Sequence, residues 1–191
     1  MSRSRQDSPQ PGPGRVLESD RDAFAAVVEE HQAAVYSLCY RMLGDPHLAE
    51  DAAQETFLRA FRSRARFDPS RPARTWLLSI AAHHCIDSLR RKARLTWLPL
   101  GDRPVSAPGA GPESALLKRE GELAIRRLLD SLAPAERAIL VLRYWHDLSV
   151  EEIAEVTHAT PDAVRSRLFR ARRRLADSAP TPVSRSVEDV R

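Results

Sequence analysis

Between Leu98 and Pro112 the chain reads LPLGDRPVSAPGAGP, with prolines at 99, 104, 108 and 112 and glycines at 101, 109 and 111. Each proline fixes φ and removes a backbone donor, and each glycine adds backbone freedom, so no helix or strand crosses this stretch. The 191 residues are therefore expected to fold as two blocks joined by an extended tether. On both sides of it apolar residues recur at spacings of three and four, the mark of amphipathic helices. In the first block Phe24, Val27, Val28, His31, Val35, Leu38, Cys39 and Met42 form such a row, which Gly44 and the Asp45-Pro46 turn end. A second helix is expected over about 47–61. Leu48, Ala52, Phe57, Ala60 and Phe61 would form its apolar side, and Asp51, Gln54, Glu55 and Leu58 its other side. A polar loop over 62–73 leads to a third helix over about 74–94, which carries Trp76, Leu77, Ile80, Ile86 and Leu89. The second block opens with Leu116, Leu117, Leu123, Ile125, Leu128 and Leu129. It breaks at Leu132-Ala133-Pro134 and resumes with Ile139, Leu140, Leu142 and Tyr144. No strand alternation and no internal repeat are present. The fold class is all-α: two small helical domains, 19–96 and 113–177, with a Pro/Gly-rich linker at 97–112 and tails at 1–18 and 178–191 expected to be disordered.

The stretch SVEEIAEVTHATPDAVRSRLFRARRRL (Ser149–Leu175) carries the most chemistry. Ser149 and Glu152 form an S-x-x-E capping box, so a helix starts near Val150 and buries Ile153, Ala154 and Val156. His158-Ala159-Thr160 is a short turn. Thr160 suits an N-cap and Pro161 the first helical position, where a missing N–H costs nothing. The following helix turns Val164, Leu168 and Leu175 inward and is decorated with Arg165, Arg167, Arg170, Arg172, Arg173 and Arg174. A helix–turn–helix with a basic second helix fits a DNA major groove. The plainer alternative is a solvated basic helix that closes a bundle.

The formal net charge is +4, and the basic residues gather in two places, the arginines above and Arg90-Arg91-Lys92 with Arg94. Two separated basic clusters suit a polyanion touched at two points, or simply a soluble surface. Cys39 and Cys85, the only cysteines, sit among apolar neighbours and read as small buried hydrophobes. Adjacent helical residues such as His83 and His84 point about 100° apart and cannot readily share one ion, so no metal and no cofactor is expected. No run is long enough to span a membrane, and MSRSRQDSPQPGPG lacks the apolar core of a signal peptide, so a cytoplasmic protein without membrane insertion is expected. No Ser/His/Asp arrangement, phosphate loop or carboxylate dyad appears, so the chain does not read as an enzyme.

Three stretches resemble the extracytoplasmic-function group of bacterial sigma-70 factors: AEDAAQETFLRAFR (Ala49–Arg62), FDPSRPARTWLLSIAAHHCIDSLRRKAR (Phe67–Arg94) and LLDSLAPAERAILVLRYWHDLSVEEIAEVTHATPDAVRSRLFRARRRL (Leu128–Leu175). The resemblance implies partners: core RNA polymerase through its β′ clamp and β subunit, promoter DNA, and an anti-sigma factor. It implies that Asp51, Gln54, Glu55 and Leu58 dock on the β′ coiled coil. It places the −10 element against Arg66, Phe67, Asp68, Arg74, Thr75, Trp76 and His83. Arg90, Arg91 and Arg94 would lie on duplex phosphates, and Trp76, by its type, is more often a core residue than a base contact. It places the −35 element against Arg165, Ser166, Arg167, Arg170 and Arg173. The sequence departs from the family pattern in three places: His83 stands where Asn is common, Ala73 where an aromatic is common, and His158 where Gly is common. If position 158 needs a left-handed backbone, His is tolerated there at some cost.

The function implied is that of an alternative sigma factor, which brings polymerase to a −35/−10 promoter and helps to open it. A competing reading is a helix–turn–helix regulator that binds operator DNA as a dimer, independently of polymerase. A third, from another class, is a redox or metal sensor built on Cys39 and Cys85.

Overall fold

The computed structural model describes the backbone of residues 13–68, 71–95 and 113–178, and their side chains except at 13–21, 66, 113–120 and 178. Seven α-helices follow in order: α1 (Pro13–Leu43), α2 (Pro46–Ser63), α3 (Ala73–Leu95), α4 (Glu113–Asp130), α5 (Pro134–Trp145), α6 (Val150–Val156) and α7 (Pro161–Ser178). A single 3-10 turn at Arg64–Arg66 follows α2. There is no strand among the described residues. The linker 97–112 and the residues after 178 lie outside the described part.

One boundary differs from the sequence reading. Helix α1 begins at Pro13, inside the stretch 1–18 expected to be a disordered tail, so 13–18 is helical. Proline fits the first helical position, and after Gly14 no proline or glycine interrupts the run until Gly44. Gly44 then takes φ +70, the left-handed backbone that ends a helix without a Cβ clash. Asp45 caps the next helix, its Oδ1 accepting from His47 N at 2.9 Å and Leu48 N at 3.1 Å, with Pro46 in the first position.

The first three helices share a core of Val35, Leu38, Cys39 and Met42 from α1, alanines from α2, and Leu77, Leu78, Ala81, Ala82 and Cys85 from α3. The buried side of α2 is the row Ala49, Ala52, Ala53, Thr56 and Ala60. These small residues let α2 lie close on α1 and α3. The Thr56 hydroxyl is tolerated inside because it donates to Ala52 O at 2.7 Å. Leu48, expected on the apolar side, is 46% exposed. Leu48 stands in the first turn of α2, four residues before Ala52 and three before Asp51, so it lies at the edge between the buried and the exposed side.

In the second block α5 packs on α7 and α6 on one side and on α1 and α3 on the other. Its residues Glu136 to Leu142 are buried without a break, as expected of a helix covered on more than one side. Ile153 and Val156 of α6 and Val164, Leu168 and Ala171 of α7 complete this half. The two blocks are thus packed against each other rather than held apart. Arg137 is central to the join. It donates from Nη1 to Met42 O at 2.6 Å and pairs with Asp130 at 2.9 Å. Burial lowers its pKa, and Asp130 opposes the shift.

Candidate nucleic-acid and polymerase interfaces

The α6–α7 unit forms as its sequence requires. Ser149 N donates to Glu152 Oε2 at 2.7 Å and Glu152 N to Ser149 Oγ at 3.1 Å. These bonds from Ser149 hold the Glu152 carboxyl below the usual range. Thr160 Oγ1 accepts from Ala163 N at 3.2 Å and caps α7. His158, in the turn, has φ 48, the left-handed conformation anticipated for that position. Helix α7 rests on Val164, Leu168 and Ala171 and turns Arg165, Ser166, Arg170 and Arg173 to solvent, with Arg167 half-buried.

The arginines differ in what holds them. Arg165 pairs with Asp162 at 2.8 Å and Glu151 at 3.1 Å. Glu136, itself buried on α5, receives Arg170 at 3.5 Å and Arg174 at 3.3 Å. Arg172 donates to the Tyr144 hydroxyl at 2.9 Å. Such pairing ties α7 to α5 and α6 and leaves its outer edge to solvent. Among the described residues Arg167 and Arg173 have no ion pair. Phe169, missing from the sequence-derived set, is 66% exposed in the middle of this basic face. An aromatic there offers the apolar contact a thymine methyl accepts. Its signal was present, since Phe169 lies outside the Val164–Leu168–Leu175 row.

Helix α2 brings together all four residues expected on its outer side. Asp51, Gln54 and Leu58 are exposed and Glu55 is half-buried beside them. Leu48 lies one turn earlier on the same side, so this face is acidic with an apolar residue at each end. Glu55 accepts from Arg59 Nε at 2.7 Å, and this bond holds its carboxyl low.

The −10 set is spread along α3. At its start the Phe67 and Trp76 rings pack at 4.7 Å with a 35° tilt, beside exposed Asp68. Trp76 is half-buried, so part of its ring is core and part faces this end of the helix. Thr75 is only 8% exposed, so its side chain faces inward and only its backbone N–H belongs to the helix start. The Arg66 side chain lies outside the described residues. Arg74 donates to His146 O at 3.1 Å and approaches His146 Nδ1 at 3.5 Å. His83 donates from Nδ1 to Ser79 O at 2.8 Å, and its ring stacks on His158 at 4.8 Å. Arg90, Arg91 and Arg94 are exposed on the last turns. Arg91 and Arg94 line a polar cleft with Arg59, His84 and Asp87. From Arg74 to Arg94 the helix extends about 30 Å, so the residues expected to read the strand and those expected to hold phosphates lie at opposite ends.

Cys39 and Cys85 are both buried. A hydrogen bond with Cys39 and burial push the Cys85 thiol far above its ordinary range, which leaves it inert. No group of three or more His, Cys, Asp or Glu able to hold a metal occurs among the described residues. No helix among them is long and apolar enough to cross a membrane.

Residues 27–95 match the family model for sigma-70 region 2, and residues 122–175 match that for sigma-70 region 4. The chain is 36% identical to the ECF RNA polymerase sigma factor SigW of Bacillus subtilis, over 84% of this chain and 91% of that protein. Among solved structures, CnrH, in complex with the cytosolic domain of CnrY, superposes with a TM-score of 0.59 at 26% identity, covering 86% of this chain and 92% of that one. The sigma factor RpoE of Bartonella quintana, in complex with the anti-sigma factor NepR, shares the fold with a TM-score of 0.64 at 20% identity, over 81% of this chain and 95% of that one.

Proposed function

The chain belongs to the extracytoplasmic-function group of the sigma-70 family, and from that premise we propose how its residues divide the work of transcription initiation. It is an alternative sigma factor, a polymerase-associated protein that directs initiation at particular promoters. Bond formation in RNA belongs to polymerase; this chain supplies position and strand separation. The exposed α2 side, with Asp51, Gln54, Glu55, Leu58 and now Leu48, docks on the β′ clamp through charge with apolar contacts at its ends. The outer face of α7, with Arg165, Ser166, Arg167, Phe169, Arg170 and Arg173, enters the major groove at −35. Arginines there bond guanine edges, and Phe169 meets a thymine methyl. Phe67, Asp68, Trp76 and His83, with the α3 N-terminus, take the displaced −10 strand, since single strands are held by stacking beside positive charge. Arg90, Arg91 and Arg94 hold phosphates and add salt-dependent affinity without sequence choice.

The observation that carries this reading is the succession of an acidic docking face and a basic groove-sized helix in the two matched regions. An operator-binding regulator would leave the α2 face without a role. An anti-sigma factor is the further partner we assign, because RpoE of Bartonella quintana, which shares the fold, is found in complex with one. The test is co-elution of the purified chain with bacterial core RNA polymerase at moderate salt. A stoichiometric complex is the expected result. A free homodimer with no complex would overturn the reading.

A further inference from the structure

His84, Asp87, Arg91 and Arg94 stand at i, i+3, i+7 and i+10 on α3 and so share one stripe of that helix. Arg59 reaches them from α2, and the five side chains line a cleft of about 360 Å³. The helix dipole favours cations in the last turns. That accounts for Arg91 and Arg94 but not for Arg59, which comes from another helix. The guanidiniums are poorly neutralised. Arg59 Nε is held by Glu55 at 2.7 Å, which leaves both terminal nitrogens without a protein partner among the described residues. Arg94 donates only from Nε, to Arg90 O at 3.4 Å. Among the described residues Arg91 makes no hydrogen bond or ion pair through its guanidinium, and Asp87 pairs with none of the three arginines. Three guanidiniums thus meet two carboxylates, and one positive charge is left over. His84 Nδ1 is buried without a partner. Burial and then Arg59 lower the pKa of this ring, with Glu55 opposing. The ring is therefore neutral near pH 7, and Nε2 is left as its donor.

We propose that this cleft is a phosphate-binding site, with Arg59 and His84 as ligands beside Arg91 and Arg94. The part of Arg91 and Arg94 rests on their assignment to DNA phosphates; that of Arg59 and His84 rests on the cleft itself. Guanidinium forks bond phosphate oxygens in pairs. Donors converging from two helices suit a tetrahedral anion better than a planar carboxylate. Asp87 repels a second negative charge, so the site favours the singly charged phosphodiester of a nucleic-acid backbone over a terminal phosphate. Glu55 acts through Arg59: by holding Nε it orients the terminal nitrogens, which ties the cleft to the exposed side of α2.

The test compares the full chain with Arg59→Gln, with His84→Leu and with Arg62→Gln, a control that removes the same charge from an exposed position of α2 outside the cleft. Thermal melting first establishes that each variant is folded. Two probes separate the sources of phosphate. One is a random-sequence duplex of about 20 base pairs, titrated from about 50 to about 200 mM salt; the other is inorganic pyrophosphate, followed by calorimetry. For a backbone site, Arg59→Gln should lower the salt slope by about one and the duplex affinity roughly tenfold near ~0.1 M salt. His84→Leu should lower affinity without changing the slope, because the ring is neutral. Arg62→Gln should stay near wild type. Arg59→Lys, which keeps the charge and loses the fork, should restore the slope but only part of the affinity. For a site that takes free phosphate, Arg59→Gln and His84→Leu should instead lose pyrophosphate binding while duplex binding stays as in the wild type. The proposal is overturned if both folded variants match wild type with both probes, if Arg62→Gln costs as much as Arg59→Gln, or if the wild type binds neither probe. Absence of duplex binding alone would count against the assignment of Arg91 and Arg94 to DNA, and the pyrophosphate titration would then decide the cleft.

Discussion

His146 shows how a single residue couples the join to pH. It is buried, its Nε2 has no hydrogen-bond partner, and Arg74 from α3 and Arg41 from α1 face it. Burial first, then those two guanidiniums, push its pKa down to about 4, with Asp147 opposing. A neutral imidazole is thus favoured in the folded chain, while an exposed one takes up a proton near pH 6.5. Between about pH 6.5 and 4 the unfolded chain binds more protons than the native one, so stability falls on acidification through that window. Thermal melts from pH 7 to 4.5 should show this slope, and His146→Gln should flatten it. Ser149 acts more locally. Ser149→Ala removes the capping box seen in both directions and should cost about 1 kcal/mol, read from urea midpoints. The Ser149–Glu152 box, the Thr160 cap and the left-handed His158 were legible from residue type and spacing alone. Nothing local marks His146, whose environment is made by α1 and α3.

At the scale of elements, α2 and α7 each separate a packing side from a working side. On α2 the buried side is alanine and the exposed side is acidic, so charge reversal there should not unfold the chain. The double change Asp51→Arg, Glu55→Arg should abolish co-elution with core polymerase while the melting temperature stays nearly constant, since a solvent-screened pair such as Glu55–Arg59 adds little to stability. On α7, Arg167→Ala should weaken binding to −35 DNA by about 1–3 kcal/mol if the arginine holds a guanine edge, with polymerase binding retained. Phe169→Ala should likewise lower −35 affinity with little loss of stability, because its ring is largely exposed; gel-shift titrations separate these cases. The rotation of α2 was only partly legible. Periodicity identified its two sides, but packing against α1 and α3 decided that the alanine row is buried and Leu48 exposed.

For the whole molecule the consequential element is α5, covered by α6 and α7 on one side and by α1 and α3 on the other. Residues 113–178 expressed alone would expose part of that helix. Their melting temperature should lie below that of the full chain, and calorimetry of the full chain should show the two halves unfolding together. Helix number, the break at Pro134, the caps and the order of an acidic face before a basic helix follow from the sequence itself. They depend on interactions within a few residues: proline geometry, hydrogen bonds to the next turn, and the 3.6-residue period. The packing of the two halves, the stacking of His83 on His158, the inward turn of Thr75 and the depressed pKa of His146 were decided only by the tertiary structure. Each arises from contacts between residues far apart in the chain, and no local spacing encodes which apolar face of α5 meets which helix.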